Sequence, residues 1–386
     1  MFNIGTLNKI AACGTDKFGG KYNISESMDN ADAIMVRSAS MHDMELPASL
    51  KAIARAGAGV NNIPVDACSE KGIVVFNTPG ANANAVKELV IAGLLLSSRK
   101  IGYAMDWAKT LKGNGAEVGK MVEKGKGAFG GPEILGKTLG VIGLGAIGVL
   151  VANAAQSLGM KVTGYDPYLS VQGAWGLNHH VKPCAALSEI YESCDYITIH
   201  VPLTPDTKGM INRDTLAVMK DGVRILNFSR DALVNDEDMI AALVSGKAGA
   251  YVTDFPTDAV IGVENVIAIP HLGASTPESE DNCAVMAADE LIDFLENGNI
   301  KNSVNLPNVS SPRNGNIRIC VFQKNIPAVL TGLSAAIASE NNNIENMTSA
   351  SKKDYAYTII DVTGTVSDAA ISSLKTIDGV INIRVM

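Results

Sequence analysis

The sequence has few aromatic residues, no excess of basic residues and no long apolar run. Aromatic residues make up 5% of its 386 residues, and its formal net charge is −8 at pH 7. Nucleic-acid and membrane surfaces require clustered lysine and arginine side chains, so this charge argues against either as a partner. No run reaches the roughly 18 apolar residues of a membrane-spanning helix, and none is predicted.

The cysteines are too scattered to form a metal site or a disulfide framework. None of the six stands in a Cys-x-x-Cys pair. They are Cys13, Cys68, Cys184, Cys194, Cys283 and Cys320. This pattern predicts reduced thiols in a cytoplasmic protein without a bound metal. The segment Met1–Phe18 lacks the apolar core of a secretory signal, which agrees with that expectation.

Glycine is abundant, and strand-like runs alternate regularly with helix-like runs. The chain has 37 glycines, and the alternation is typical of parallel sheets covered by helices. The predicted strands are Ala33–Arg37, Ala52–Ala56, Val74–Asn77, Leu139–Ile142, Lys161–Tyr165, Tyr196–His200, Arg224–Asn227, Gly249–Asp254 and Val266–Ile269. The predicted long helices are Asn82–Ser97 and Ser275–Glu296.

The end of the chain has a different order of elements. The pattern over Ile317–Met386 predicts strand, helix, two strands, helix and strand, which is the ferredoxin-like order. Before it, Asn299–Asn316 is rich in Asn, Ser and Pro and is predicted to be a linker. The Gly- and Lys-rich run Lys112–Gly131 predicts loop and exposed helix near a domain junction.

The strongest motif joins an apolar strand to a helix through a G-x-G-x-x-G turn. It reads Thr138-Leu-Gly-Val-Ile-Gly143-Leu-Gly145-Ala146-Ile147-Gly148. In such a motif the first glycine makes a tight turn, and the second lets the backbone approach a pyrophosphate. The third glycine allows close packing of helix on strand, while the helix N-terminus favours the negative phosphates. The motif therefore predicts a dinucleotide site.

Asp166 supports this interpretation, because it follows the next predicted strand, Lys161–Tyr165. An acid at that strand tip is suited to accept hydrogen bonds from ribose hydroxyls. Because no Arg or Lys follows it directly, NAD is favoured over NADP. The alternative is that Asp166 is a surface turn acid before Pro167.

Three more polar side chains lie at or just beyond predicted strand ends. They are Arg230, Asp254 and His271. Ligands bind at the carboxyl ends of strands in open α/β sheets. Oxidation of a 2-hydroxy acid needs a cation for the carboxylate and a base for the hydroxyl proton, and Arg and His suit these tasks. The alternatives are a solvated Arg–acid pair and a turn histidine after Pro270.

These segments resemble the D-isomer-specific 2-hydroxyacid dehydrogenase family over roughly residues 30–310. The matching motifs are the glycine motif, Gly57-Ala-Gly-Val-Asn-Asn-Ile, Gly72-Ile-Val-Val-Phe-Asn-Thr-Pro, His200-Val-Pro-Leu-Thr, Asn227-Phe-Ser-Arg and Pro270-His-Leu-Gly-Ala-Ser-Thr. The resemblance implies an α/β protein with two doubly wound parallel-sheet domains, a Rossmann-type nucleotide domain being inserted in a flavodoxin-like substrate domain. It places the substrate domain at residues 1–95 and 283–310, and the NAD-binding domain at 96–282.

The resemblance implies that His271 is the general acid and base, and that Arg230 binds the substrate. The family acid that pairs with the histidine is normally Glu, and Asp258 occupies its place in Phe255-Pro-Thr-Asp258. Asp254 is implied to bind the nicotinamide carboxamide, with Thr253 as the alternative. The implied cofactor contacts are Gly143, Gly145, Ala146, Ile147, Gly148, Asp166, Val201, Pro202, Phe228, Ser229, Arg230, Asp254, His271, Gly273 and Ala274.

Residues 316–386 resemble an ACT domain, a ferredoxin-like module that binds amino acids. Its usual H-x-N-x-P-G loop reads Gln323-Lys-Asn325-Ile-Pro327-Ala328 here, so the His and the Gly are replaced. Asn343 stands at the usual place of a second Asn. The resemblance implies an amino-acid effector at Asn325 and Asn343. The alternative is that the module serves only subunit packing. In either case, a homodimer or homotetramer is predicted.

The resemblance to this dehydrogenase family together with an ACT domain implies a small anionic 2-hydroxy acid, D-3-phosphoglycerate, as the substrate. The expected substrate contacts are Arg37, Ser38, Gly59, Val60 and Lys87. A solvated helix lysine is the alternative interpretation of Lys87. Two other functions stay open, namely reduction of hydroxypyruvate or glyoxylate, and NAD sensing without catalysis.

Overall fold

The computed structural model describes residues 1–313 and 317–386. The chain divides into two compact units. The first is formed by Met1–Asn82 with Pro277–Met386, and the second by Ala83–Thr276. In the described part, no helix is long and apolar enough to cross a membrane. Nor does that part group three His, Cys, Asp or Glu side chains as a metal site would require.

The helices and strands alternate along most of the chain. The strands are β1 (Phe2–Leu7), β2 (Tyr22–Ser25), β3 (Ala33–Val36), β4 (Ala52–Arg55), β5 (Val74–Asn77), β6 (Thr138–Ile142), β7 (Lys161–Tyr165), β8 (Lys182–Pro183), β9 (Tyr196–Ile199), β10 (Val223–Asn227), β11 (Ala248–Thr253), β12 (Val266–Ala268), β13 (Ile317–Lys324), β14 (Ile344–Lys352), β15 (Tyr355–Val362) and β16 (Val380–Val385). The helices are α1 (Ala12–Thr15), α2 (Val65–Glu70), α3 (Ala83–Arg99), α4 (Ile101–Thr110), α5 (Val118–Gly125), α6 (Ala146–Ser157), α7 (Val171–Gly176), α8 (Leu187–Ser193), α9 (Arg213–Val218), α10 (Asp236–Ser245), α11 (Pro277–Asn297), α12 (Val329–Ser339) and α13 (Asp368–Lys375).

The first unit contains a five-stranded parallel sheet in the order β2-β1-β3-β4-β5. This is the flavodoxin-like order, as predicted. The two strands missing from the prediction are β1 and β2. β2 is an edge strand with no fully buried residue, so it carries little of the apolar pattern that identifies a strand.

The second unit contains a seven-stranded parallel sheet in the order β12-β11-β10-β9-β6-β7-β8. Counted from β6, this is the Rossmann order with one extra strand, which confirms the predicted fold. The sequence order reverses between β6 and β9, where dinucleotides bind in such sheets. The glycine motif therefore lies at the topological switch point.

Helix α3 belongs to the second unit, although residues 83–95, most of the helix, were assigned to the substrate domain from the sequence. Gly93 explains its position, because a Cβ there would lie 2.9 Å from Phe228 Cζ and 3.1 Å from Val252 Cγ1. Only glycine lets α3 approach β10 and β11 this closely. At the other boundary, the first unit resumes at Pro277, where α11 begins, instead of at residue 283.

The segment between α11 and β13 is not the free linker that its composition predicts. Ile300, Leu306 and Val309 are buried in the core of the first unit. Asn305 accepts a hydrogen bond from the Val75 backbone N–H at 2.9 Å and donates to the Ile73 carbonyl at 2.9 Å. The asparagine thus satisfies backbone groups at the edge of the sheet, a packed role that composition does not reveal. Residues 314–316 of the predicted linker lie outside the described residues.

The C-terminal module has an antiparallel sheet in the order β14-β15-β13-β16, the predicted ferredoxin-like arrangement. One face packs on α12 and α13 through Ile319, Leu333 and Leu374. The other face places Phe322 and Tyr357 in the main core of the first unit. Both faces of the sheet are therefore covered within the chain.

Side chains of this sheet satisfy the last carbonyl groups of α11. Arg318 Nη1 donates to the Asn297 carbonyl at 2.8 Å, and Tyr357 Oη donates to the Gly298 carbonyl at 2.8 Å. Arg384 donates to two further carbonyls, those of Phe294 at 3.1 Å and Leu295 at 2.9 Å. A helix C-terminus needs such donors and favours positive charge, so the module closes the end of α11.

Glu290 of α11 is a buried carboxyl group that is only half satisfied. The residue is 7% exposed, and Oε1 accepts from Asn302 Nδ2 at 2.7 Å. Oε2 has no hydrogen-bond partner in the described part of the chain. Burial raises the pKa of Glu290 from 4.5 to about 8. The folded chain therefore keeps this proton at neutral pH, whereas the unfolded chain releases it.

Replacing Glu290 with glutamine is expected to stabilise the protein at high pH only. A carboxyl group whose pKa is raised on folding does not lower the free energy of unfolding at pH values below its unfolded pKa. Its cost grows as pH rises and is complete above the folded pKa. Glu290→Gln should raise the free energy of unfolding by roughly 1–4 kcal/mol at pH 8 and by almost nothing at pH 4.5, as measured by urea unfolding.

The neighbouring Asp289→Asn variant is the matched control. Asp289 is half exposed, and its ion pair with Lys17 spans 2.6 Å at the surface. Such a pair contributes up to about 1 kcal/mol, so no comparable gain with pH is expected from its removal. A stability difference for Glu290→Gln that does not change with pH would contradict the assigned protonation state.

Candidate functional site

The glycine turn between β6 and α6 is shaped by close backbone contacts. Gly143 has φ +91°, and a Cβ there would lie 2.6 Å from the His200 carbonyl oxygen. A Cβ at Gly148 would lie 1.9 Å from the Gly143 carbonyl oxygen. At Gly145, by contrast, a Cβ would meet no heavy atom within 4 Å. The turn is therefore built so that a ligand can approach the backbone at Gly145.

The N-terminus of α6 offers its backbone to such a ligand. Gly145 is the N-cap, and no described side chain caps the helix there. Ala146 and Ile147 follow as its first residues. Free N–H groups and the helix dipole together favour phosphate groups. The predicted pyrophosphate contacts of these residues fit this geometry.

Asp166 joins the tip of β7 to the glycine turn. Its Oδ2 accepts the Leu144 N–H at 2.8 Å, and its Oδ1 accepts the Tyr168 N–H at 2.8 Å. Each carboxylate oxygen can accept a second hydrogen bond, so ribose hydroxyls still find acceptors there. Asp166 is thus a turn-forming acid, as the alternative interpretation held, and is also placed for the predicted ribose contact.

The tip of β9 lies against the same turn. A Cβ at Gly143 would lie 2.9 Å from Val201 Cγ1, while the next residue, Pro202, is exposed. His200 Nε2 is 3.0 Å from Thr198 Oγ1, and burial lowers the pKa of His200 to about 4. His200 is therefore neutral at physiological pH and adds no charge at this strand end.

Asn227 fixes the backbone that carries Arg230, a role the sequence did not reveal. Its buried Nδ2 donates to the Arg230 carbonyl at 2.8 Å, and its Oδ1 accepts the Ser229 N–H at 3.2 Å. Ser229 Oγ donates to the Ile199 carbonyl at 2.8 Å, which ties the turn to β9. Arg230 itself is exposed. Its guanidinium is therefore displayed on a braced turn.

Phe228, a predicted cofactor contact, has a buried side chain. The ring is buried in the core with Val252 and packs against Gly93 of α3. The turn keeps the apolar Phe228 ring in the core, whereas Ser229 is partly exposed and Arg230 is exposed.

Asp254 is a buried acid with an unused acceptor. It is 2% exposed, and its Oδ1 has no hydrogen-bond partner among the described residues. Burial raises its pKa to about 6, against the opposing charge of Arg230. A ligand N–H donor would satisfy Oδ1, as the predicted carboxamide contact requires. The alternative residue, Thr253, already accepts the Phe255 N–H at 3.1 Å with its hydroxyl.

His271 lies in the loop after β12 and packs against an aromatic ring. Its ring centroid is 4.3 Å from that of Phe255. The Arg230 guanidinium carbon lies 5.3 Å from the centroid of the same Phe255 ring. Partial burial lowers the pKa of His271, and the charge of Arg230 lowers it further. Gly273 is buried two residues later, and a Cβ there would lie 3.5 Å from Asp254 Oδ2.

Asp258 is not brought to His271. It is exposed, and no hydrogen bond or ion pair joins it to the histidine within the described chain. Thr257 donates through Oγ1 to Asp236 Oδ2 of α10 at 2.6 Å. This contact directs the loop toward α10 and leaves Asp258 on an exposed turn. The implied pairing of Asp258 with His271 is therefore not supported by the geometry.

The predicted substrate contacts Arg37, Ser38, Gly59 and Val60 lie in the first unit. Arg37 pairs with Glu280 of α11, with Nη2 2.6 Å from Oε1. A cation missed from the sequence is Arg55, whose Nε donates to the Arg37 carbonyl at 3.0 Å. Its Nη1 would lie 2.8 Å from a Cβ at Gly57 and 3.5 Å from one at Gly59. Like Arg37, Arg55 lies at or just beyond the carboxyl end of a strand.

Lys87, the remaining predicted substrate contact, lies in the second unit on the second turn of α3. Its Nζ is 3.7 Å from Glu88 Oε1, and its side chain is 21% exposed. The neighbouring carboxylate offsets part of the lysine charge.

The two predicted effector residues lie at opposite ends of the C-terminal sheet. Asn325 donates its backbone N–H to the Asp354 carbonyl at 2.8 Å, before β15 begins. The Asn343 carbonyl accepts the Thr363 N–H at 3.1 Å, after β15 ends. An eight-residue strand separates the two by roughly 25 Å. One module therefore does not bring Asn325 and Asn343 to a common site. Ala328 adopts φ +69°, a conformation that the usual glycine would tolerate better.

Comparison with known proteins agrees with this arrangement. Residues 91–273 match the family described as "D-isomer specific 2-hydroxyacid dehydrogenase, NAD binding domain". The chain is similar to the D-3-phosphoglycerate dehydrogenase of Methanocaldococcus jannaschii, with 36% identity over 77% of this chain and 56% of that protein. It is also similar to the D-3-phosphoglycerate dehydrogenase of Haemophilus influenzae, with 34% identity over 85% of this chain and 79% of that protein.

A solved structure gives the same picture. The chain is similar to the NAD+-bound 3-phosphoglycerate dehydrogenase of Entamoeba histolytica, with a TM-score of 0.61 and 29% identity. The match covers 79% of this chain and 98% of that one. The chain spans little more than half the length of several of its relatives, including 54% of the human D-3-phosphoglycerate dehydrogenase.

Proposed function

The chain belongs to the D-isomer specific 2-hydroxyacid dehydrogenase family, and we propose that it oxidises D-3-phosphoglycerate to 3-phosphohydroxypyruvate with NAD. This reaction is the first step of serine biosynthesis. The observation that carries the proposal is the grouping of Arg230, Asp254 and His271 at neighbouring strand ends of the sheet that holds the glycine turn. Relatives named for this activity support the choice of substrate.

The residues that would hold NAD fit a dinucleotide. The open backbone at Gly145 and the first residues of α6 would face the pyrophosphate, and Asp166 the ribose. Asp254 would offer its unused Oδ1 to the carboxamide. When bound, NAD supplies the acceptor for the hydrogen and electron pair that leave C2 of the substrate.

Arg230 and His271 would act on the substrate itself. The planar guanidinium of Arg230 can bind both oxygens of the carboxylate and so orient C2. The lowered pKa of His271 keeps the imidazole neutral at physiological pH. A neutral ring can accept the hydroxyl proton as C2 is oxidised, and it can return that proton in the reverse reaction.

Arg37 and Arg55 would supply positive charge for the phosphate. The Arg55 side chain lies beside the Arg37 backbone, because Arg55 Nε donates to the Arg37 carbonyl. Arg55 also lies beneath the Gly57–Gly59 turn, which contains a predicted substrate contact. Arginine recognises phosphate through the several N–H donors of its planar guanidinium.

We propose that the C-terminal module has a structural role within the chain, which differs from both the effector binding and the subunit packing considered from the sequence. Its covered sheet and its contacts with α11 support this choice. A homodimeric or homotetrameric state stays a prediction. The six free cysteines support the proposed cytoplasmic location.

The substrate proposal is tested by NADH formation from D-3-phosphoglycerate, D-glycerate and D-lactate at equal concentrations. We expect kcat/KM at least about 100-fold higher for the phosphorylated acid, because the phosphate contacts contribute several kcal/mol. Equal rates with the three acids would contradict the phosphoglycerate assignment. Faster reduction of hydroxypyruvate or glyoxylate would then identify the alternative function.

A further inference from the structure

The Phe255 ring contacts both side chains to which the chemistry is assigned. The guanidinium carbon of Arg230 lies 5.3 Å from the centroid of the Phe255 ring. The centroid of the His271 ring lies 4.3 Å from that of the Phe255 ring, and the two ring planes meet at 45°. Both contacts fall in the range of cation–π and aromatic pairs. Phe255 is therefore the one residue with a ring contact to each of the two among the described aromatic pairs.

The chain restricts the position of Phe255 from both sides. Its backbone N–H donates to Thr253 Oγ1 at 3.1 Å, at the buried end of β11. The next residue is Pro256, which holds the preceding residue in extended conformations. Beyond it, Thr257 is bound to Asp236 of α10. The ring is thus carried by a backbone with little freedom.

No carboxylate orients His271 in the described chain, as noted for Asp258. An imidazole that transfers protons must be held by a partner, or its ring rotates away from the reacting hydroxyl. The contact available to His271 here is the Phe255 ring.

We propose that Phe255 is a positioning residue, which orients the His271 imidazole in place of a carboxylate partner. The inference rests on the proposed function, since it assumes that His271 transfers the proton. It assigns to an aromatic side chain the orienting task that an acid usually performs. Removing the ring should therefore disturb His271 without removing any group that exchanges protons.

The direct test is the NMR spectrum of the full chain labelled with ¹³C-histidine. The protein has five histidines, and His271→Asn assigns the signal of interest. Phe255→Leu keeps an apolar side chain but removes the ring current, whereas Phe255→Tyr keeps the ring. We expect the His271 signal to move in Phe255→Leu and to stay near its wild-type position in Phe255→Tyr. An unmoved signal in Phe255→Leu would overturn the proposal.

A matched control is Phe129→Leu, which breaks another aromatic pair of the second unit. Phe129 packs on Trp107 with centroids 5.2 Å apart, and neither residue belongs to the proposed site. This variant should leave the His271 signal in place. A shift equal to that of Phe255→Leu would contradict the local origin of the effect.

The kinetic test compares kcat with KM for whichever 2-hydroxy or 2-oxo acid the wild type turns over. We expect Phe255→Leu to lower kcat about 10-fold, because the imidazole loses its orientation. NADH affinity should change less than about twofold, and Phe255→Tyr should recover most of kcat. Equal kcat in Phe255→Leu and wild type would overturn the proposal. Failure of D-3-phosphoglycerate as substrate would instead affect only the proposed function, since the spectra need no substrate.

Discussion

Replacing His271 with asparagine is expected to lower kcat by about 10²–10⁴-fold while NADH still binds. Asparagine has a similar size but cannot accept the hydroxyl proton at neutral pH, and general acid–base catalysis contributes about this factor. The loop should keep its place, because His271 is exposed and packs mainly on Phe255. Steady-state kinetics in both directions, together with fluorescence titration by NADH, measure the two effects separately.

His180→Asn is the control for this experiment. His180 is exposed and contacts the ring of His179, with centroids 3.9 Å apart, outside the proposed site. We expect its kcat to equal that of the wild type. Wild-type kcat in His271→Asn would refute the proton-transfer role. An unmodified chain that binds NADH but turns over no 2-hydroxy acid would favour NAD sensing without catalysis.

Replacing Arg318 with leucine is expected to destabilise the protein by about 3–5 kcal/mol. Arg318 and Asp361 form a two-pronged ion pair at 2.7 and 2.8 Å, and their side chains are 0% and 1% exposed. The variant leaves the Asp361 carboxylate buried and unpaired, which is the costly way to break such a pair. It also removes donors to the carbonyls of Asn297, Ser311 and Pro312.

Urea unfolding of three variants tests this prediction. Arg313→Leu removes an exposed arginine that donates to the Glu296 carbonyl at 2.8 Å, so its cost should be below about 1.5 kcal/mol. The double variant Arg318→Leu with Asp361→Leu should recover much of the loss, because no charge then stays buried. If Arg318→Leu unfolds at the same urea concentration as Arg313→Leu, the buried pair does not stabilise the module as described.

The parallel sheets were predictable because buried strands have a simple pattern. The structure gives β5 and β7 the bounds that the sequence predicts. These runs are short, largely β-branched or aromatic, and bounded by turn residues. Strands with exposed faces, such as β2, give no comparable signal.

The packed segment after α11 could not be predicted from its composition. Asn305 is polar and stands in an Asn- and Pro-rich stretch, yet it is buried and bonded to β5 and its neighbours. Local composition reports on solvation and turn chemistry, whereas this asparagine is held by residues more than two hundred positions away. Long-range pairing of this kind leaves no periodicity to detect.

The site was predictable in its types of residue but not in its contacts. Motifs located Arg230, Asp254 and His271, because each lies at or just beyond a strand end. The position of Asp258 depends on the contact between Thr257 and Asp236, which no motif describes. The bracing by Asn227 and the ring of Phe255 became visible only through distances.

The most direct test of the central claim uses D-3-phosphoglycerate deuterated at C2, with NAD and the wild-type protein. Mass spectrometry of the NADH formed shows where the hydrogen of C2 goes. We expect one deuterium in each NADH, and none when the unlabelled substrate is oxidised in deuterated water. NADH without deuterium, or no NADH at all, would contradict the assignment of this chain as a D-3-phosphoglycerate-oxidising enzyme.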